Sequence, residues 1–389
     1  MRTQVAIIGA GPAGLLLGRM LHLQGIDSVV LERKDRPYVE QRVRAGVLEH
    51  GTAETLREAG VGERLDAEGL RHGGIELRFG GEAHRIDFEA LTGRSVTVYG
   101  QQEVVKDLIA ARLAEGDTLL FDVQDVALRN LDGVEPVVSF VHQGDPVELT
   151  CDFVIGADGF HGPCRGYVAH STSCERTYPF SWLGVLAQAA PTTDELIYAR
   201  HDRGFALYSM RSPSVTRLYL QVPSDENLDD WSDDRIWSEL RTRLNTDLIE
   251  GPLLARGITP MRSFVSTPMR HGRLFLAGDA AHIVPPTGAK GMNLAVADVR
   301  LLSRALGGYY AGDPELLSRY SDDALERVWR STHFSWWMTT MLHADPTEDA
   351  FSNQIAQAQL KYVASSEAMA TSLAENYTGL PYTSSWSFK

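Results

Sequence analysis

The chain has 389 residues, 43% of them hydrophobic and 23% charged, a composition typical of globular proteins with two or three domains. Its 37 basic and 51 acidic residues give a net charge of −14, which argues against a sequence-independent grip on nucleic acid or on an anionic membrane. No apolar run approaches the roughly 18 residues of a membrane span, and no leader pattern is present. Three cysteines (Cys151, Cys164, Cys174) without a CxxC pair predict reduced thiols, a cytoplasmic location and no metal site.

The chain opens with a strand–turn–helix–strand unit of about 30 residues. Residues 4–8 predict a short buried strand, and G-A-G-P-A-G follows directly as a glycine-rich turn. An amphipathic helix then ends at Gly25, and a second apolar strand at 28–31 runs into Glu32. This order is typical of a dinucleotide-binding βαβ unit.

Each part of this motif has a physical role in such a site. Gly9 allows the tight turn, Gly11 lets the backbone approach a pyrophosphate, and Gly14 permits close packing of helix on strand. Glu32 can accept hydrogen bonds from ribose hydroxyls. The alternative is a glycine-rich turn without a ligand, and the motif by itself does not distinguish FAD from NAD.

The following segments alternate between sheet and helix patterns. Residues 70–150 are rich in turns and in patterns that alternate apolar with polar residues. A third buried strand is predicted at 152–155 and is followed by Gly156–Gly159. Alternating runs within 178–265 predict an antiparallel sheet, with one helix at 235–243. A last apolar strand at 273–277 leads to Gly278 and Asp279. Helices are predicted at 291–306 and over most of 314–373.

A second acid far along the chain favours a flavin over NAD. The ribityl chain of FAD carries hydroxyls that a carboxylate such as Asp279 can hold, although Asp279 could instead cap a helix. The Pro/Gly-rich loop 285–293 precedes a helix, and its N–H groups can stabilise negative charge on a reduced flavin. The alternative for this loop is a simple helix entry.

These elements predict a mixed α/β (α+β) fold. Residues 1–175 are expected to form a Rossmann-like FAD-binding domain, completed by about 266–295. Residues 176–265 are expected to form an inserted antiparallel substrate-binding sheet, and 296–389 a helical C-terminal interface region.

Several further motifs, spread from about residue 3 to residue 382, resemble the single-component FAD aromatic hydroxylases, and in particular their 4-hydroxybenzoate 3-monooxygenase branch. The motifs are RVRAGVLE (42–49), YGQ (99–101), GADGFHG (156–162), PFSWLG (179–184), ELIYA (195–199), RGFAL (203–207), GDAAHIVPPTGAKGMN (278–293), FSWWM (334–338) and AENYTGLPY (374–382). The resemblance implies that 4-hydroxybenzoate, NADPH and O2 are converted to protocatechuate, NADP and water through a flavin C4a-hydroperoxide. It also implies a noncovalent FAD that swings between two positions, and a homodimer.

The resemblance assigns residues to the two ends of an aromatic acid. At the carboxylate end, Arg211 would supply a planar cationic fork, with hydroxyl groups from Ser209 and Tyr219. Tyr208 and Met210, which flank Ser209 on the strand, should point away from the substrate. At the phenol end the implied residues are Tyr198, Tyr377, Pro286 and Thr287, with His72 at the surface end of a proton chain and Trp182 as a wall.

A phenol titrates near pH ~10, so a site that uses the electron-rich phenolate must favour the ionised form. Tyr198 would bond the substrate oxygen and Tyr377 would form the next link. The carbonyl of Pro286 can accept from the same hydroxyl. Without the resemblance, both tyrosines would be interpreted as packing residues.

The resemblance also assigns cofactor contacts. For FAD, besides Gly9, Gly11, Gly14, Glu32 and Asp279, they are Arg42, Arg44, Gln102 or its neighbour Gln101, Arg217, Gly291, Met292 and Asn293. For NADPH they are Arg33, Tyr38, Arg42, His161 and Arg262. The basic cluster 33–42 could instead be a solvated surface.

Two other functions stay open at this stage. A related flavin hydroxylase could act on another hydroxy- or aminobenzoate, and the match of Ser209, Arg211, Tyr219 and Tyr198 disfavours it. A non-catalytic binding protein could use the same nucleotide fold, and Asp279, the 285–293 loop and the tyrosine pair disfavour that.

Overall fold

The computed structural model describes residues 1–42, 46–347 and 349–382. Within these residues the α-helices are α1 (Pro12–His22), α2 (Arg36–Gln41), α3 (His50–Glu58), α4 (Glu63–Glu68), α5 (Phe88–Thr92), α6 (Gln101–Ala114), α7 (Asp233–Leu244), α8 (Gly291–Tyr310), α9 (Glu315–Leu342), α10 (Ala350–Ser365) and α11 (Glu367–Thr378). The strands are β1 (Val5–Ile8), β2 (Ser28–Leu31), β3 (Val47–Leu48), β4 (Leu70–His72), β5 (Gly74–Phe79), β6 (Glu82–Asp87), β7 (Val96–Val98), β8 (Leu119–Leu120), β9 (Gln124–Arg129), β10 (Val137–His142), β11 (Asp145–Thr150), β12 (Phe153–Gly156), β13 (Thr172–Ala187), β14 (Leu196–Ala199), β15 (Ala206–Ser212), β16 (Val215–Pro223), β17 (Leu253–Thr267), β18 (Arg270–His271), β19 (Leu274–Leu276) and β20 (His282–Ile283).

A six-stranded sheet of order β18-β19-β12-β1-β2-β8 forms the nucleotide-binding half. All its neighbouring strands are parallel except the antiparallel edge pair β18–β19. β1 and β12 are buried along their whole length, which explains their continuous apolar sequences. α1 packs against both α6 and α8, and all three contribute to the same core. The predicted Rossmann-like architecture is confirmed.

An eight-stranded sheet of order β20-β17-β13-β16-β15-β14-β5-β6 forms the second half. It is antiparallel except where β14 pairs with β5, which sets Tyr198 opposite Leu77. Residues 74–87 therefore belong to this sheet, although the sequence places them within the first domain. The pairing of β5 with β14 joins segments that are far apart in the sequence, so no local pattern could predict it. Smaller three-stranded sheets, β9-β10-β11 and β3-β7-β4, complete the strands described here.

The large sheet buries both of its faces. One face packs against α7 and carries Tyr208 and Met210, so both side chains point away from the opposite face, as predicted. The opposite face carries Tyr198 and Leu207 and packs against the end of α9 together with α10 and α11. Because successive side chains of a strand point to opposite faces, each face of this sheet contributes to its own hydrophobic core.

The C-terminal helices connect the two halves. At about 1.5 Å per residue, the 28 residues of α9 extend about 42 Å, so its first part joins the core of the parallel sheet and its last part joins that of the large sheet. Among the described residues, no helix is both long and apolar enough to cross a membrane.

Candidate active site

The carboxyl ends of the four central parallel strands meet at one edge, where ligands bind in folds of this type. Backbone hydrogen bonds fix the turns there: Gly9 N donates to Leu31 O at 2.7 Å, and Ala157 N donates to Ile8 O at 2.8 Å. Gly9 has φ +110°, and a Cβ on it would lie 2.3 Å from the carbonyl oxygen of Ala157. A side chain at Gly9 is therefore excluded on both conformational and steric grounds.

The other two glycines of the turn differ in what limits them. A Cβ on Gly14 would lie 1.9 Å from the carbonyl oxygen of Gly9, so Gly14 lets α1 approach the turn. A Cβ on Gly11 would meet no atom of the described residues within 4 Å, so no contact in this part of the chain requires glycine there. The open space at Gly11 fits close approach of a pyrophosphate. Glu32 sits across the turn and accepts hydrogen bonds from Ala10 N and Lys34 N at 2.8 Å each.

Asp279 lies in a short 3₁₀ turn, Gly278–Ala280, that follows β19. Its side chain is exposed, and Ala277 rather than Asp279 occupies the cap position. The cap alternative is therefore wrong, and the carboxylate is accessible to a ligand. The turn is anchored by Asp298 on α8, which accepts from Gly278 N at 2.9 Å and lies 2.6 Å from His282 Nε2. Burial opposes protonation of His282, but the charge and hydrogen bond of Asp298 raise its pKa overall.

The 285–293 loop forms a 3₁₀ turn at Pro286–Gly288 and then enters α8 at Gly291. No side chain caps this helix, so the N–H groups of its first turn stay available to a negative charge. Pro286 is exposed and Thr287 is fully buried. Asn293 secures the helix start, because its amide donates to Val47 O at 3.0 Å and Ala289 O at 2.7 Å.

Lys290 forms a buried ion pair that sequence reasoning missed. Its Nζ lies 2.5 Å from Glu49 Oε1 and also donates to the carbonyl oxygens of Asn376 and Tyr377. Burial lowers the pKa of Lys290, while Glu49 opposes that shift. The pair ties the loop to α11, which carries Tyr377. Both residues stand in motifs quoted for the resemblance, but the sequence contains no signal that pairs them across 241 positions.

The predicted carboxylate end lies near the turn that joins the antiparallel strands β15 and β16. Ser209 pairs with Arg217 across the strands, and the register shifts between Met210 and Ser212, so Arg211 stands at a bulge that redirects its side chain. Ser209 is buried, and its hydroxyl donates to Arg217 O at 2.9 Å. The bulge could not be predicted from the alternating pattern.

Two guanidinium groups at this end lack acidic partners. The Nε atoms of Arg211 and Arg217 are buried without a hydrogen-bond partner, and neither side chain pairs with an acid among the described residues. Burial lowers the pKa of Arg211; Tyr219 opposes that shift and the like charge of Arg217 adds to it. Arg217 lies over the Tyr219 ring, 5.1 Å from its centroid. A buried N–H group of a cation that lacks an acceptor is costly, so this arrangement favours an anionic ligand.

At the predicted phenol end, the hydroxyl oxygens of Tyr198 and Tyr377 are 2.5 Å apart, although 179 positions separate them. Both side chains are buried, and burial raises the pKa of each. His72 is only 2% exposed, so the expectation that it stands at the surface is wrong. It is the last residue of β4, and its side chain is buried there. Burial lowers its pKa, and the charges of Glu195 and Asp194 partly offset this.

The remaining predicted residues have these positions. Gln102 lies in the first turn of α6, and its buried Oε1 has no partner, which fits a ligand contact. Met292 is half-buried at the start of α8. Arg44 lies outside the described residues. The nicotinamide candidates Arg33, Tyr38 and Arg42 are exposed beside or within α2.

His161 and Arg262 form a second group around one phenyl ring. The Arg262 guanidinium lies 4.8 Å from the Phe160 centroid, and the His161 ring lies 5.0 Å from it. Phe160 therefore brings these two candidates together.

One group of His and acidic side chains within the described residues is close enough to hold a metal ion. It consists of His22, Glu115 and Asp117, and these already pair with one another and with Arg19. The cluster has the character of a half-exposed ion-pair network.

A family model described as "FAD binding domain" matches residues 2–335. The fold, the glycine turn and this match define an FAD-binding flavoprotein. The p-hydroxybenzoate hydroxylase of Acinetobacter baylyi is 49% identical over 390 residues, which cover 98% of this chain and 96% of that protein. The chain therefore belongs to the FAD-dependent aromatic hydroxylases, the flavoprotein monooxygenases that include p-hydroxybenzoate hydroxylase.

More distant relatives share the architecture. A probable NADH-specific resorcinol 4-hydroxylase of Rhodococcus jostii is 27% identical over 80% of this chain and 60% of that protein. The crystal structure of p-nitrophenol 4-monooxygenase PnpA from Pseudomonas putida superposes with a TM-score of 0.82 over 98% of this chain and 100% of that one, at 19% identity. That likeness concerns the fold.

Proposed function

We propose that this enzyme hydroxylates 4-hydroxybenzoate to protocatechuate, with NADPH and O2 consumed and NADP and water formed. The proposal rests on the guanidinium groups of Arg211 and Arg217, whose Nε atoms are buried and which have no acidic partner among the described residues, on the sheet face that also carries Tyr198. The name of the Acinetobacter baylyi relative supports the same substrate.

The geometry suits a ring with an anion at one end and a phenol at the other. Tyr198 lies opposite Leu207, and Arg211 follows Leu207 by four positions along β15. At about 3.3 Å per residue this is about 13 Å of strand, so the cationic and phenolic side chains approach an aromatic acid from two sides. The carboxylate would bind the guanidinium fork of Arg211.

The tyrosine pair supports ionisation of the bound phenol. When Tyr198 donates its only O–H to the substrate oxygen, it must accept the hydrogen bond from Tyr377, so the two hydroxyls form a short chain along which a proton can pass. Burial keeps both tyrosines protonated at neutral pH, so they act as donors to phenolate. His72 is the proposed next group in the chain.

FAD, when bound, would supply the electrophilic oxygen that attacks the electron-rich ring. Gly11, Glu32 and Asp279 would hold its pyrophosphate, adenosine ribose and ribityl chain, and the uncapped start of α8 would face the flavin. The open space at Gly11 and the unpaired Gln102 oxygen fit such a cofactor.

NADPH is the proposed reductant, with contacts in the exposed group at Arg33, Tyr38 and Arg42 and in the group of His161 and Arg262. Cations there suit a 2′-phosphate. The name of the Rhodococcus jostii relative makes NADH the alternative. Steady-state kcat/KM with each nucleotide decides between them, and equal values would contradict the preference.

A homodimer is the proposed assembly, formed through the C-terminal helices. Large apolar side chains are exposed on α9 (Trp329, Trp336) and α10 (Phe351, Ile355, Tyr362). Spacings of seven residues on α9, and of four and seven on α10, put each set on one helix face. A cytoplasmic location completes the proposal and is supported by three free cysteines.

Nucleotide oxidation by the FAD-loaded enzyme, with and without 4-hydroxybenzoate, tests the substrate. We expect 4-hydroxybenzoate to accelerate NADPH oxidation and protocatechuate to appear in the chromatogram. Parallel assays use 3-hydroxybenzoate and 4-aminobenzoate. Faster, better-coupled turnover of either analogue would favour the alternative that the enzyme acts on another benzoate.

A further inference from the structure

A buried polar stripe runs along the end of α9. Ser335, Thr339 and His343 recur every four residues, so they share one helix face, and none is more than 3% exposed. Burying polar groups costs free energy of desolvation that apolar residues on this face would avoid, so the buried polar groups need a further explanation.

The hydrogen bonds of His343 define its protonation. The indole Nε1 of Trp182 can only donate, and it lies 2.7 Å from His343 Nε2, so Nε2 must be the acceptor. The proton is then on Nδ1, which lies 2.9 Å from the Thr339 carbonyl oxygen. Burial lowers the pKa of His343 to about 3, in agreement with a neutral ring.

His343 packs among aromatic residues of the sheet, including Trp182. Its ring stacks on Phe205 at 4.3 Å and on Phe180 at 4.7 Å, which leaves it little freedom. Trp182 in turn lies 4.9 Å from the ring of Tyr219, a residue assigned to the carboxylate end. A displaced indole would therefore shift Tyr219.

The same stripe contacts the other wall of the site. The hydroxyl oxygen of Thr339 is 2.9 Å from that of Thr287, in the 3₁₀ turn that begins at Pro286. The two hydroxyls are fully buried. One helical turn thus contacts the carboxylate wall through His343 and the Pro286 turn through Thr339.

We propose that Thr339 and His343 are positioning residues that set the distance between the carboxylate end and the phenol end of the substrate site. The inference rests on the proposed function. Neither residue touches the substrate; each acts through a hydrogen bond, His343 to Trp182 and Thr339 to Thr287.

The first test compares two substitutions of His343 in the FAD-loaded enzyme. His343→Phe keeps the ring but leaves the Trp182 N–H buried without an acceptor, whereas His343→Gln places an amide oxygen near the Nε2 position. We expect His343→Phe to raise the Kd of 4-hydroxybenzoate by about tenfold, the factor for about 1.4 kcal/mol, and His343→Gln to restore most of the affinity.

A double-mutant cycle separates positioning from general stability. In a Trp182→Phe background, His343→Phe should change Kd little, because the bond it removes is already absent. A merely structural role predicts a lower Tm in every variant and an unchanged Kd, and that result would overturn the proposal.

The second test uses Thr339→Val, which keeps the shape and removes the hydroxyl. We expect product formed per NADPH to fall while Kd stays at the wild-type value, since only the Pro286 turn is released. Wild-type coupling in this variant would contradict the role of Thr339, and the test holds even where His343→Phe does not fold. Wild-type turnover of 4-hydroxybenzoate in the same assay tests the proposed function separately; if another aromatic acid is the substrate, the same ratios are measured with it.

Discussion

Arg211→Ala removes the buried cation on which the substrate proposal depends. In the free protein the Nε of Arg211 has no partner, and the nearby positive charge of Arg217 lowers its pKa further. The free site therefore holds two guanidinium groups whose Nε atoms are buried without a partner and that pair with no acid among the described residues. A bound carboxylate would relieve that cost, so the binding free energy should depend strongly on Arg211.

Truncation of one partner in a buried, hydrogen-bonded charge pair costs about 2–5 kcal/mol. Because the substitution also removes the repulsion from Arg217 and the buried unpaired Nε, we expect the lower end of that range. At about 1.4 kcal/mol per factor of ten, 2 kcal/mol corresponds to a Kd raised by about 30-fold. For the same reason, the Tm of the unliganded protein should stay level or rise.

The assay is titration of FAD-loaded enzyme with 4-hydroxybenzoate, followed by the flavin absorbance change, together with a thermal melt. Arg211→Lys keeps the charge without the planar fork and should fall between wild type and Arg211→Ala. Arg129→Ala, an exposed arginine paired with Glu148 on β11, is the control. An unchanged Kd in Arg211→Ala, with FAD still bound, would remove Arg211 from the site.

Three further results are expected. Tyr198→Phe should bind substrate and consume NADPH but divert a large fraction of the oxygen to hydrogen peroxide, since the substrate would stay a neutral phenol. If the product formed per NADPH equals that of wild type, Tyr198 has only a packing role. Gly11→Ala should leave the Tm of the apoprotein unchanged, because the added Cβ meets no atom of the described residues within 4 Å. The same substitution should weaken FAD binding, measured by fluorescence, and unchanged FAD affinity would contradict the pyrophosphate assignment. Phe351→Glu with Ile355→Glu should shift a dimer to monomer in analytical ultracentrifugation without loss of bound FAD, and an unaltered mass would exclude this face as the interface.

Local sequence was sufficient for the nucleotide-binding unit. The glycine turn, α1 and Glu32 lie within about 30 residues, and the motif that they form is readable without long-range contacts. Period-two alternation likewise predicted that Tyr208 and Met210 face away from Ser209, and the two separate cores of the large sheet bear this out.

Other parts of the site depend on contacts that no local pattern encodes. His72 is buried because other parts of the folded chain cover its side chain on β4. The bulge at Arg211 is a shift in the pairing register of β15 and β16. Residues 74–87 joined the large sheet through a parallel pairing with β14. Each is a consequence of tertiary pairing.

By itself, the sequence determined the nucleotide fold and the family, because short-range periodicity and motif chemistry carry that information, and its assignment of site residues stays a prediction. Only the tertiary structure brought Tyr198 within 2.5 Å of Tyr377, Lys290 onto Glu49 and His343 onto Trp182. These pairs are 161 to 241 positions apart, so no local sequence pattern relates their members. Burial then raises the pKa values of Tyr198 and Tyr377 and lowers those of Lys290 and His343, because a charge costs far more inside the protein than in water.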